Sequence, residues 1–146
     1  MISSMKKEVI DQALNDTFIG DSVKVIESIY TITNEKTDEF CNHYNIHCKK
    51  NCGECCEHFE PTITELEAIY LAYGAIVNDR VEEMKELLSH QLGHCPLYHN
   101  EKHCLVYPYR PLLCRLFNSC ASRMKDGRAG YRYCKYDPRP KAFDNE

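Results

Sequence analysis

No stretch of this 146-residue chain approaches the ~20 consecutive apolar residues that a membrane-spanning helix needs. Its mean hydropathy is -0.52, so we expect no membrane partner. A basic surplus is missing too: 18 Lys and Arg stand against 22 Asp and Glu, a net charge of -4, with a pI near 6.0. Nucleic-acid binders usually show a basic face, so no nucleic-acid partner is expected. The opening Met1-Ile2-Ser3-Ser4-Met5-Lys6-Lys7-Glu8 lacks the apolar core of about 7–15 residues that marks a secretory signal, and a cytoplasmic protein is the expectation. There is no internal repeat, no low-complexity run, no Ser-His-Asp set and no phosphate-binding glycine loop. Glu60, Glu65 and Asp79 lack any spacing that would mark acid–base work.

What the chain does have is ten cysteines. In a reducing compartment thiols do not stay paired, so clustered cysteines read as metal ligands or redox groups rather than as a disulfide framework. Four of them fall within nine positions, Cys48-x3-Cys52-x2-Cys55-Cys56, too dense to be explained by inert burial. Two intervening residues let a chain turn back so that both sulfurs reach one ion, at ~2.3 Å for zinc. Thiolates packed this closely repel one another unless a cation neutralises them, and metal binding does so by displacing protons. The adjacent pair Cys55-Cys56 diverges in any regular geometry, to opposite sides of a strand or ~100° apart on a helix. Either one of the two is a spare or reactive thiol, or the site holds more than one metal. Cys48, Cys52 and Cys55 also have the three-cysteine spacing of radical-SAM enzymes, but the chain has neither the length nor the alternating pattern of their barrel. What survives is a loop suited to three corners of an iron–sulfur cube.

A second constellation follows in Cys95-Pro96, Cys104-Leu105-Val106-Tyr107, Arg110-Pro111 and Cys114-Arg115. A tetrahedral ion needs ligands from more than one direction, and Cys95, Cys104 and Cys114 supply it. Arg110 and Arg115 are candidates to offset the negative charge of the thiolates from behind the ligands. Cys41, Cys120 and Cys134 stand outside these blocks. Serine at Cys41 is expected to be nearly silent. Were Leu112 to Met124 one helix, Cys114 and Cys120 would lie about 240° apart, and Cys120 would face away from the metal. His47, His58, His94 and His103 flank the cysteines, and exposed or hydrogen-bonded roles are favoured for them over ligation.

The rest of the chain reads as helix. Val9, Ile10, Ala13 and Leu14 form an apolar stripe that Gly20-Asp21 is expected to break, and a second stripe runs through Val23, Ile26, Ile29, Tyr30 and Thr33 toward Phe40 and Tyr44. The two are expected to make the core of an antiparallel pair. Residues 41–58 read as a loop around an ion. Thr62 and Glu65 fit a capping box for a helix along Leu66, Ile69, Tyr70 and Tyr73 to Gly74. Another helix carries Val81, Met84 and Leu88 toward Gly93. Leu105-Val106-Tyr107 reads as a short strand, and Pro111 as the first residue of a helix through Leu116 and Phe117 to Met124, stopping near Gly127. The expectation is a mostly α protein of one small domain organised around a cysteine-ligated metal site. It has N-terminal helices over residues 1–46, a cysteine-cluster region over 47–136 and a loose tail over 137–146.

Taken together, Cys52-Gly53-Glu54-Cys55-Cys56, the helix start near Thr64-Glu65, Cys95-Pro96-Leu97, Cys104-Leu105-Val106-Tyr107, Arg110-Pro111 and Cys114-Arg115-Leu116-Phe117 resemble the YkgJ-like cysteine-cluster family of zinc- or iron-chelating domains. The resemblance spans residues 48–120. One departure stands out: three residues, Lys49-Lys50-Asn51, precede the second cysteine where the family usually has two. The resemblance implies eight characteristic cysteines and a bound zinc or iron, but no settled reaction. A flagellin lysine methylase also resembles the family. Three functions remain open at this point: a metal-binding module, alone or supporting a protein partner; an iron–sulfur protein in electron transfer or SAM-linked methyl transfer; and a thiol redox sensor using Cys56 or Cys120.

Overall fold

Ile2–Leu14 forms helix α1 and Phe18–His43 forms α2 in a computed structural model. It describes residues 2–46, 52–53, 55–57, 61–89, 94–99, 101–117, 119, 121–123 and 129–131. The break between the two helices falls earlier than Gly20. Asp16 takes the left-handed conformation at φ 59°, which Asp and Asn tolerate better than most residues. Thr17 then caps α2 by accepting a hydrogen bond from the Gly20 amide. Gly20 therefore lies within the first turn of α2, where a side chain would overlap the Leu14 carbonyl.

Helix α3 spans Glu65–Val77. Its cap is Thr64 with Glu67, not Thr62 with Glu65: Thr64 Oγ1 accepts from the Glu67 amide at 3.3 Å, and the Thr64 amide donates to Glu67 Oε2 at 2.8 Å. The sequence Thr62-Ile63-Thr64-Glu65-Leu66-Glu67 contains the box in two registers. Along the helix Tyr70, Tyr73 and Val77 share one face toward α2, where Val23, Ile26 and Tyr30 meet them in one core. The apolar stripe of α2 thus packs on α3, and the N-terminal helices do not form a separate two-helix core. Ile29 and Val9, expected in that core, are exposed. Helix α1 joins through Ile10 and Leu14 and through the Tyr73 hydroxyl, which donates to the Asp11 carboxylate.

The opposite face of α3 carries Leu71 and Ala75 into a second core with Leu97, Leu105 and Val106. Helix α4, Val81–Leu88, covers it with Val81, Met84 and Leu87. Gly93, expected to end this helix, lies outside the described residues. Strands β1 (Tyr98–His99) and β2 (His103–Cys104) pair antiparallel. The strand therefore precedes Leu105-Val106-Tyr107, because Pro108 has no amide to continue a ladder and Tyr107–Tyr109 winds into a 3₁₀ turn. Pro111 stands at the N-cap of a single-turn helix, α5, Leu112–Arg115, one position before the first helical residue expected for it. No helix continues to Met124: Ala121–Arg123 and Ala129–Tyr131 form the antiparallel strands β3 and β4. The expected opposition of Cys114 and Cys120 on one helix accordingly lapses. Cys120 and Cys134 lie outside the described residues, as do the expected loose tail and Cys48. Helix dominates the fold, as the stripes predict. Among the described residues no helix is long and apolar enough to cross a membrane.

Candidate metal centre

Two short backbone links build the site. The Cys56 amide donates to the Gly53 carbonyl at 2.8 Å, closing a tight turn, and the Cys95 amide donates to the Cys56 carbonyl at 3.0 Å. The two cysteine segments, far apart in sequence, are thereby stitched together. Tyr98 in β1 lies across the turn, donating its hydroxyl to Glu57 Oε1 at 3.2 Å. Its ring occupies the space where a Cβ on Gly53 would stand, so the glycine between the two cysteines is required for a close approach. From the other side, the Leu105 amide donates to the Leu97 carbonyl at 3.1 Å, which holds Cys104 beside Cys95. Cys114 comes from α5.

These pieces surround a chamber of about 610 Å³. Cys41, Cys52, Cys55, Cys56, Cys95, Cys104 and Cys114 all line it, each half-buried and each a thiol rather than part of a disulfide. They are all the cysteines that the structure describes. Cys55 and Cys56 both reach the chamber because residues 55–57 form a turn, which escapes the divergence that a helix or strand would impose. Among the described residues, no three His, Cys, Asp or Glu side chains stand close enough to hold one ion as placed. The thiols are gathered, but not closed around one point.

The electrostatics follow from this crowding. A hydrogen bond from Cys56 lowers the Cys55 thiol to about 7, against the effect of burial. Cys56, hydrogen-bonded to Cys55 and Cys95 and itself buried, is held far above the ordinary range. Burial, then the neighbouring Cys95, Cys55 and Cys104, push Cys114 up to about 12, and burial also raises Cys104. With protein groups alone, Cys56, Cys104 and Cys114 hold their protons, and Cys55 is the thiol readied to lose its own. A thiophilic cation reverses that balance, since coordinated thiols are deprotonated outright. Zinc and iron are the common ions that favour such soft donors.

The two arginines behave differently. Arg110 stacks on the Tyr107 ring at 3.9 Å and donates to the Tyr107 carbonyl at 3.1 Å. Its charge also draws down Cys55, Cys104 and Cys114. Arg115 is buried, at 8 % exposure. It donates from Nε to the Arg110 carbonyl at 2.8 Å, from its other nitrogens to Asn34 Oδ1 at 3.1 Å and the Pro108 carbonyl, and sits 4.1 Å over the Tyr30 ring. It ties α5 to α2 while still bordering the chamber. His94 donates from Nδ1 to the Cys95 carbonyl at 3.1 Å, and His99 Nδ1 accepts the amides of Glu101 and Lys102. The Nδ1 atom of His103 is buried with no hydrogen-bond partner among the described residues. His47 and His58 lie outside them.

Sequence reasoning missed two contributors. Glu67 accepts from the Leu112 amide at 2.8 Å and the Tyr30 hydroxyl at 3.1 Å, as well as from Thr64, so one carboxylate joins α2, α3 and α5. Cys41 stands in the last turn of α2, where a polar loop was expected. The stripe running toward Phe40 and Tyr44 already pointed to helix at this position.

A helical frame that turns seven thiols toward one chamber defines a cysteine-cluster protein of the metal-chelating kind. Residues 47–139 match the model of the CxxCxxCC family, described as a "putative zinc- or iron-chelating domain", and the chain belongs to that family. No curated protein and no solved structure matches it. Helices α1 and α2 lie outside the matched segment.

Proposed function

We propose that this protein binds zinc or iron through thiolates drawn from two parts of the chain, Cys48, Cys52, Cys55 and Cys56 from the first and Cys95, Cys104 and Cys114 from the second. Arg110 and Arg115 offset their charge from behind. The observation that carries this reading is the convergence of the described members of both groups on one chamber. When bound, the ion supplies the positive charge that lets the thiols ionise together. The chain's own residues hold the sulfurs in place through the turn at Gly53 and the link from Cys95 to Cys56, while Arg110 adds a fixed cation at the chamber wall.

One observation favours a second reading. Seven thiols around one chamber exceed the four that a tetrahedral ion takes, which supports an iron–sulfur cluster or more than one metal, and with it electron-transfer or methyl-transfer chemistry. Anaerobic purification followed by elemental analysis and visible absorption separates the two. Zinc is d¹⁰ and gives a colourless protein, whereas iron–sulfur centres are brown. Near-stoichiometric metal is expected, and its removal by a chelator should cost several kcal/mol of stability or unfold the chain. Serine at Cys52, Cys55 or Cys104 should empty the site. A metal-free preparation that melts at the native temperature would overturn the proposal.

A further inference from the structure

We infer that Cys41 supplies a thiolate to the metal centre, so that the site draws on a helix outside the CxxCxxCC segment. The inference rests on the metal-binding reading above and extends its ligand set. Cys41 belongs to neither sequence block and precedes the matched residues 47–139, yet it lines the same chamber as the six described cysteines of those blocks. Its placement is fixed by the way α2 ends. The Tyr44 amide donates to the Phe40 carbonyl at 3.1 Å, and Asn45 takes the left-handed conformation at φ 55°. The Ile46 amide then folds back to donate to the Cys41 carbonyl at 2.8 Å. Ile46 is 2 % exposed and also lines the chamber, so the turn that buries Ile46 fastens the last turn of α2 against the cavity. The same helix presents Thr37, Asp38 and Asn42 to that cavity. Sulfur is the donor there that suits zinc or iron best, whereas a lone carboxylate suits harder ions. Ligation is proton-balanced: the Cys41 S–H bond breaks, its proton goes to water, and the sulfur's electron pair forms the bond to the metal. No oxidant or reductant is involved.

The test uses the full-length protein as purified, with its metal counted. Iodoacetamide labelling followed by peptide mass spectrometry is run with the metal in place and after chelation. Cys41 should be protected by the metal and labelled once it is removed, in step with Cys52 and Cys55. The Cys41→Ser variant should lose one sulfur from the X-ray absorption shell. It should also bind zinc at least about tenfold more weakly in chelator competition, while its circular dichroism keeps the native helix content. Protection of Cys52 and Cys55 with Cys41 labelled at the same rate in both states overturns this inference and leaves the parent reading standing. Labelling of every cysteine that ignores the metal overturns both.

Discussion

Glu67 is a single side chain on which three helices depend. Burial alone would raise its carboxyl, but hydrogen bonds from Thr64, the Leu112 amide and Tyr30 outweigh that and hold it below the ordinary carboxylate value. The ionised form therefore contributes stability above the unfolded value of about 4.3, and this contribution is lost as pH falls through the lower folded-state value. Glu67→Gln keeps the shape and removes the charge, and should cost about 1–2 kcal/mol near neutral pH. In urea unfolding the gap between wild type and variant should shrink toward pH 3, where both side chains are nearer neutral. A gap that stays constant with pH would show that charge plays no part. The capping role of a Thr-x-x-Glu pair was legible in the sequence, but its register was not. Two overlapping boxes satisfy the same local chemistry, and what sets Thr64 with Glu67 apart is that Glu67 also accepts from Tyr30 and the Leu112 amide, partners that only the fold brings near. Arg115 was legible only as a charge near cysteines. That its guanidinium would be spent on Asn34 and on two carbonyls depends on a fold in which α5 meets α2.

Among the elements, α3 meets the 3₁₀ turn at Tyr107–Tyr109 in a close approach. A Cβ on Gly74 would overlap the Tyr109 ring, although Gly74 sits inside a helix where alanine is intrinsically better by about 1 kcal/mol. Overpacking costs about 1–3 kcal/mol, so the clash should win and Gly74→Ala should lower the melting temperature. In a Tyr109→Ala background, which removes the ring but keeps its Cβ, the same change should cost less, and a double-mutant cycle of thermal melts reads that coupling directly. Long amphipathic helices were legible because their stripes repeat over several turns, as in Val23, Ile26 and Tyr30. Short elements were not. Leu105-Val106-Tyr107 has strand composition, but Pro108 removes the next donor and β-pairing shifts to His103–Cys104. Leu116 and Phe117 continue a helical pattern that stops at Arg115, since one turn contributes too little local energy to resist its surroundings.

At the scale of the molecule, the family segment is not where the core ends. Removing residues 1–46 would uncover Tyr70, Tyr73 and Val77, which α2 buries, and would strip Arg115 of Asn34 and Glu67 of Tyr30. A chain of residues 47–139 should therefore melt well below the full protein and bind zinc more weakly. A peptide of residues 41–60 should bind more weakly still and show an incomplete ligand shell by X-ray absorption. Equal zinc affinity in all three would show that neither the helices nor the distal cysteines contribute. The sequence pointed to a metal site made from two cysteine segments through spacing alone. It could not reveal that the final turn of α2 borders the same chamber, because that depends on the backbone turn at Asn45 and on the burial of Ile46.

Helix α3 has an apolar face on each side, one packed against α2 and the other against the cysteine segments, and Tyr109 packs against both cores. Neither half can melt while leaving the other in its native surroundings, for whichever core opens first puts one side of α3 into water. Occupancy of the thiol chamber and order in α1 and α2 are then two readings of one equilibrium. Amide hydrogens around Val23, Ile26 and Tyr30 of α2, which pack on the other face of α3, become reporters of whether the chamber is filled, and their exchange slows as ligand concentration rises.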